Sequence, residues 1–74
     1  MNKETFLDSL AELVDLPAGF LHGPEKLADL AGWNSMAMIG YVALADENGA
    51  AVSRRDMLGA VTIQDLLALA AIAC

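Results

Sequence analysis

Three features of the sequence predict an all-α fold, a four-helix bundle with a long first loop and a short third helix. The hydrophobic content of 57% comes largely from Ala and Leu, which favour helix over strand. Apolar residues recur at three- and four-residue spacing, as on one face of a helix. Polar residues suited to capping precede these stretches, and no strand-like alternation occurs. Residues 1–74 are expected to form one domain.

The first helix is predicted over residues 3–15. Asn2 or Thr5 is suited to cap its start. Pro17 with Gly19 is expected to end it, because proline disfavours helical geometry in the preceding residue. The acidic residues of this helix are expected on its solvent-exposed face. The residues of its apolar face are Phe6, Leu7, Leu10, Leu13 and Val14.

Residues 17–34 contain too many Gly and Pro residues for a long helix. They also carry Leu and aromatic side chains that favour burial. We therefore predict a long loop packed onto the core, with a short helical turn near residues 25–30. Trp33 is expected to pack this loop against the bundle, and His22 to be solvated.

The second helix is predicted from Ser35 to about Glu47, before Asn48 and Gly49, a pair suited to left-handed backbone. Asn34 precedes it as an N-cap. Ser35 then falls in the first turn, where backbone N–H groups without helical partners favour a phosphate. Ser35 is the residue at which we expect chemistry.

The second helix is apolar nearly all the way round, so its buried face is predicted from spacing alone. The residues expected to face the core are Met36, Ile39, Val42 and Ala43. The residues left on flanks that so small a domain covers incompletely are Met38, Tyr41 and Leu44. The residues predicted to contact a partner are Met36, Met38 and Tyr41.

Two further helix starts are predicted at Ser53 and Thr62. Each is followed three residues later by an Asp, the pattern of a capping box. The third helix is expected to be short because Gly59 follows closely. The fourth is expected to run to near the end of the chain, with an apolar stripe of Ile63, Leu66, Leu67, Ala70 and Ala73.

The net charge of -6 and the pI near 4.2 argue against binding nucleic acid or an anionic membrane and favour a basic protein partner. No apolar run approaches the roughly 18 residues of a membrane span, and the first residues lack a secretory signal. A cytoplasmic monomer is expected. Cys74 has no cysteine partner for a disulfide or a metal site and is expected to be incidental.

The order and spacing of these elements resemble the acyl carrier proteins over essentially the whole chain. The segment at residues 30–36, Leu-Ala-Gly-Trp-Asn-Ser-Met, is similar to the family's Asp-Ser-Leu motif at the start of helix two. Val52-Ser53 is similar to the start of the short third helix, and residues 60–66, Ala-Val-Thr-Ile-Gln-Asp-Leu, to the start of the fourth. The resemblance implies that the bundle is of the acyl carrier protein type.

The resemblance also implies that Ser35 carries 4'-phosphopantetheine through a phosphodiester, with Asn34 as the flanking cap. The arm would hold an acyl or aminoacyl group as a thioester. The implied partners are a phosphopantetheinyl transferase, an acyl- or aminoacyl-loading ligase and a downstream synthase or transferase. Ser35 itself lacks a nearby base and the glycine-flanked elbow of a serine hydrolase, so we expect a substrate of enzymes and not an enzyme.

Four departures from the family pattern indicate a divergent member. Asn34 stands in place of the usual Asp and Met36 in place of the usual Leu, whereas Arg54 and Arg55 occupy positions that are commonly acidic. Helix two also lacks the acids that often follow the serine. These changes favour a specialised biosynthetic pathway over general fatty acid synthesis. The alternative is an unmodified interaction module of the same fold, which binds a protein through the apolar flank of helix two.

Overall fold

Four α-helices and one turn of 3₁₀ helix make up the computed structural model, which describes residues 2–72. The described residues form no strand, and one isolated antiparallel bridge joins Lys26 to Thr62. The all-α prediction is confirmed. The elements are α1 (Lys3–Leu13), the 3₁₀ turn (Leu27–Asp29), α2 (Ser35–Glu47), α3 (Arg54–Leu58) and α4 (Ile63–Leu69).

Each α-helix begins directly after a polar residue whose side chain accepts a backbone hydrogen bond from the third helical residue. At α1 this residue is Asn2, whose Oδ1 accepts the N–H of Thr5 at 2.8 Å. Ser53 and Thr62 both form complete capping boxes with the Asp three residues later. Local side-chain chemistry therefore sets all four starts, and the predicted starts are confirmed.

The C-terminal end of α1 lies earlier than predicted. Asp15 adopts a left-handed conformation with φ 59°, and the N–H of Leu16 returns to the carbonyl of Ala11 at 2.8 Å. This arrangement is a Schellman motif, which closes the helix at Leu13 before Pro17 can act. The prediction that Pro17 with Gly19 ends the helix is therefore wrong.

The ends of α2 and α4 use the same motif. Gly49, with φ 85°, ends α2 at the predicted place. In α4 the left-handed residue is Ala71, with φ 58°, and the N–H of Ile72 donates to Leu67 O at 3.0 Å. The helix therefore stops at Leu69, short of the predicted end. The expectations for Ala73 and Cys74 lie outside the described residues.

Tyr41 of α2 lies at the centre of the core and contacts three other parts of the chain. Its ring meets those of Phe6 and Trp33 edge-on, with centroids 6.3 and 6.1 Å apart. Its hydroxyl donates to Leu66 O of α4 at 2.6 Å. Burial, aided by the charge of Asp56, raises the pKa of Tyr41 to about 12, so the hydroxyl remains a donor. The largest fully buried side chains are Tyr41, Phe6, Leu10, Ile63, Leu66 and Leu67.

The buried face of α2 differs from the predicted face. Met36 and Ile39, expected in the core, are 76% and 67% exposed, and Ala43 is exposed as well. Val42 is half-buried. The prediction is wrong because a helix that is apolar all round has no preferred direction in its sequence. The side chains that α2 buries are Ala37, Tyr41, Leu44 and Ala45.

The loop between α1 and α2 packs on the bundle as predicted. Leu21 and Leu27 are buried, and Trp33 is half-buried against the core. The short helical turn lies within the predicted range. His22 is exposed, as expected. Within residues 2–72, no helix combines the length and the apolar character needed to cross a membrane.

Candidate functional site

Ser35 is the first residue of α2, and its side chain is exposed. The preceding residue, Asn34, has an extended backbone, with φ -134° and ψ -174°. Its Oδ1 accepts the N–H of Ala37 at 3.0 Å, and its carbonyl accepts the N–H of Met38 at 2.9 Å. These two hydrogen bonds of Asn34 fix the first turn of α2, and the hydroxyl of Ser35 remains exposed to solvent. The predicted cap is confirmed.

Two backbone donors lie open beside this hydroxyl. Within residues 2–72, no acceptor contacts the N–H groups of Ser35 and Met36. No acidic side chain lies in the first turn of α2, so the positive end of the helix dipole is not neutralised there. These groups can meet an anionic oxygen attached to Ser35.

A close backbone contact holds the start of α2 in place. A Cβ added to Gly32 would lie 2.3 Å from the carbonyl oxygen of Val14, so only glycine fits where the loop crosses the end of α1. The N–H of Trp33 donates to Leu30 O at 3.1 Å, and the Trp33 ring packs on Tyr41. Ser35 is therefore exposed at a helix start that packs against the end of α1 and the core.

A groove of about 370 Å³ opens beside Ser35, between α2 and α3. Ser35 and Arg54 are the polar residues of its lining, and none of the described residues in the lining is acidic. The remaining lining residues are apolar: Met38, Ile39, Val42, Val52 and Met57. The groove can therefore receive an apolar group, and its only charged side chain among the described residues is a cation.

The predicted partner-contact residues occupy three different environments. Met36 is exposed on α2, outside the lining of the groove, and Met38 is half-buried and lines it. Tyr41 is 0% exposed, so its predicted contact with a partner is wrong. Its ring is held by neighbouring aromatic rings and its hydroxyl by a carbonyl of α4.

The structure adds residues to the site that the sequence did not reveal. Ile39 and Val42 lie four and seven residues after Ser35, so they share its face of α2 and line the groove. This spacing is visible in the sequence, but the predicted core face of α2 includes both residues. The sequence marks Arg54 only as an unusual charge, and the fold places it in the same groove as Ser35.

The described lining of the Ser35 groove contains no histidine and no acidic residue. His22, the single histidine of the chain, lines a separate groove beside α1. In the part of the chain that the structure describes, no cluster of His, Cys, Asp or Glu could hold a metal ion. Among the described residues of the groove lining, none is a candidate base for Ser35.

Comparisons with known proteins give no match for this chain. No family model matches it, and neither a curated protein nor a solved structure does. The assignment of function therefore depends on the geometry of the Ser35 site and on the residue pattern of the chain itself.

Proposed function

We propose that the protein is a carrier that holds an acyl or aminoacyl group as a thioester on a 4'-phosphopantetheine arm attached to Ser35. The observation that carries the proposal is the exposed hydroxyl of Ser35 at an open helix start, beside an apolar groove. The whole-chain resemblance to the acyl carrier proteins supports it. A bundle of the acyl carrier protein type is part of the proposal.

The residues around Ser35 fit a phosphodiester. The hydroxyl is accessible, the N–H groups of Ser35 and Met36 are open, and Arg54 supplies a positive charge in the same groove. None of the described residues that line the groove would repel the phosphate. When bound, the arm supplies a terminal thiol for the thioester.

Ser35 acts as the nucleophile of the attachment step, while the transferase supplies the catalysis. Its Oγ bonds to the phosphorus that carries the pantetheine portion of coenzyme A. The P–O bond of the pyrophosphate breaks, 3',5'-adenosine bisphosphate leaves, and the hydroxyl proton passes to a base of the transferase. Asn34 holds the backbone of the first turn throughout. The apolar groove residues shelter an apolar cargo from water.

The partners follow from this role: a phosphopantetheinyl transferase, an acyl- or aminoacyl-loading ligase and a downstream synthase or transferase, in the cytoplasm. Asn34 keeps the cap of the usual Asp without its charge. Partners that recognise the start of α2 through an acid would therefore bind this chain less well. A specialised pathway with its own enzymes fits these features better than general fatty acid synthesis.

The in vitro test is attachment of the arm. Incubation of the apo protein with coenzyme A, Mg²⁺ and each of several phosphopantetheinyl transferases should add the mass of one arm. Ser35→Ala should abolish the addition. The other two serines of the chain provide matched controls, and Ser9→Ala and Ser53→Ala should both be labelled. Labelling of Ser35→Ala would refute the assignment.

A second candidate function is an unmodified interaction module that binds a protein partner through α2. The exposure of Met36 and Ile39 favours it, because large apolar side chains on one helix commonly mark a contact surface. Intact mass of the protein purified from its native host separates the two functions, since only the carrier bears the arm.

A further inference from the structure

Arg54 is the only charged residue among the described residues that line the Ser35 groove. We infer that Arg54 is the counter-charge of the phosphodiester on Ser35 and holds the first part of the arm over the groove. This inference rests on the proposed function. It concerns a residue on α3, whereas attachment itself requires only Ser35 on α2.

The position of Arg54 in its own helix is electrostatically unfavourable. It is the first residue of α3, where the helix dipole favours an acidic side chain and disfavours a cation. The neighbouring carboxylate of Asp56 already accepts the N–H of Ser53 at 3.2 Å in the capping box. The capping box of α3 does not involve the Arg54 side chain, so its charge is available to an anion in the groove.

The groove brings Arg54 and Ser35 to one surface although they lie 19 residues apart in the sequence. A phosphodiester on Ser35 places two anionic oxygens at that surface. A guanidinium is planar and can donate two parallel hydrogen bonds to such oxygens. Arg54 therefore has the charge and the donor geometry to bind them.

Arg55 provides a matched control within the same protein. It is the next residue of α3 and is also exposed, but it does not line the Ser35 groove. Adjacent helical residues point about 100° apart, so a phosphate on Ser35 should affect the two guanidinium groups differently. The two are also the only arginines in the chain. A spectrum of arginine side chains therefore contains one test signal and one reference signal.

The experiment compares the Nε–H signals of both arginines in ¹H–¹⁵N spectra of the apo protein and of the protein carrying the arm. Arg54→Lys and Arg55→Lys assign the two signals. Intact mass establishes in each sample that the arm is attached. We expect the Arg54 signal to shift and its exchange with water to slow on attachment, with the Arg55 signal unchanged. The shift should shrink as NaCl is raised, because the pair lies at the surface.

A second measurement uses the ³¹P signal of the phosphodiester. Arg54→Gln should move this signal toward the position of a free pantetheine phosphodiester, whereas Arg55→Gln should leave it at the wild-type position. Equal responses of both arginines, or none, with the arm present would refute the role of Arg54 and leave the carrier function standing. Absence of the arm from the protein of the native host, together with failure of every transferase in vitro, would refute both proposals, and intact mass distinguishes this outcome from the former.

Discussion

The first turns of α2 and α4 begin with the same type of cap and differ in what happens to the remaining donors. At α4, the N–H groups of Ile63 and Gln64 donate to the loop carbonyls of Glu25 and Gly23, at 2.9 and 2.8 Å. At α2, Asn34 caps the third N–H, and the first two meet no acceptor within residues 2–72. The start of α4 is therefore closed by the fold, and the start of α2 is open.

The starts of α4 and α2 also differ in whether an acidic residue lies in the first turn. The carboxylate of Asp65 accepts the N–H groups of Val61 and Thr62, at 2.8 and 3.1 Å. It thereby complements the dipole of α4 with a fixed negative charge. The first turn of α2 contains no acid. The start of α4 is therefore satisfied by loop carbonyls and an acid, whereas the start of α2 has one side-chain cap and no acid in its first turn.

The largest loss of stability that we predict concerns Gly32, where the loop before α2 contacts the end of α1. Gly32→Ala should destabilise the protein by about 3 kcal/mol, because the added Cβ meets the backbone oxygen of Val14, which has little room to move. Chemical denaturation measures the change. Gly59→Ala is the control, since its Cβ would make only an ordinary contact at 3.6 Å. A loss of stability in Gly59→Ala as large as that in Gly32→Ala would contradict this account.

Loss of either cap should lower the free energy of unfolding by a similar amount. The effect on protection from hydrogen exchange should differ between the two helix starts. Asn34→Ala and Thr62→Ala should each reduce stability by about 1 kcal/mol. In Thr62→Ala, the N–H of Asp65 should keep part of its protection from hydrogen exchange, because the carbonyl of residue 62 still accepts it at 3.1 Å. In Asn34→Ala, the N–H of Ala37 should lose protection, because its only acceptor among the described residues is gone. Equal loss of protection at both sites would remove the distinction between a closed and an open start.

Lowering the pH should destabilise the closed start of α4 and leave the open start of α2 unaffected. Hydrogen bonds from the backbone N–H groups of Val61 and Thr62 lower the pKa of Asp65 below its ordinary 3.8. Partial burial acts to raise the pKa of Glu25, but hydrogen bonds from nearby backbone N–H groups, Gly23 foremost, outweigh it and lower that pKa below 4.5. Both carboxylates therefore contribute stability above these ordinary values, and the contribution is lost as the pH falls through the folded-state values.

Amide chemical shifts between pH 7 and pH 3 check this prediction. The N–H signals of Val61 and Thr62 should titrate, whereas the N–H of Ala37 should not, because the amide side chain of Asn34 does not ionise. Asp65→Asn should abolish the titration at Val61. A comparable titration of Ala37 would show that the start of α2 depends on a charged group after all.

The parts of the fold that sequence reasoning predicts well are those fixed by neighbouring residues. The caps at Asn2, Asn34, Ser53 and Thr62 bond within three residues, and α2 begins and ends where its cap and Gly49 indicate. Helix ends that depend on a left-handed non-glycine residue, as at Asp15, are not predicted correctly, because such a residue carries a weak sequence signal.

The sequence predicts the position of Ser35 and its cap, but not which residues surround Ser35 in the fold. Ser35 and Asn34 stand where the sequence places them, because a cap and a first turn are local. The orientation of α2 depends on tertiary contacts of Tyr41, including the hydrogen bond to Leu66, and no spacing rule reveals these. The position of Arg54 depends in turn on how α3 lies against α2.

The measurement that tests the central claim most directly is the intact mass of the protein purified from its native host, followed by fragmentation to locate any added group. The proposed function predicts the mass of one 4'-phosphopantetheine arm, with or without a cargo, on the fragment that contains Ser35. An unmodified mass in cells that modify their other carriers, or an arm on a different residue, would contradict it.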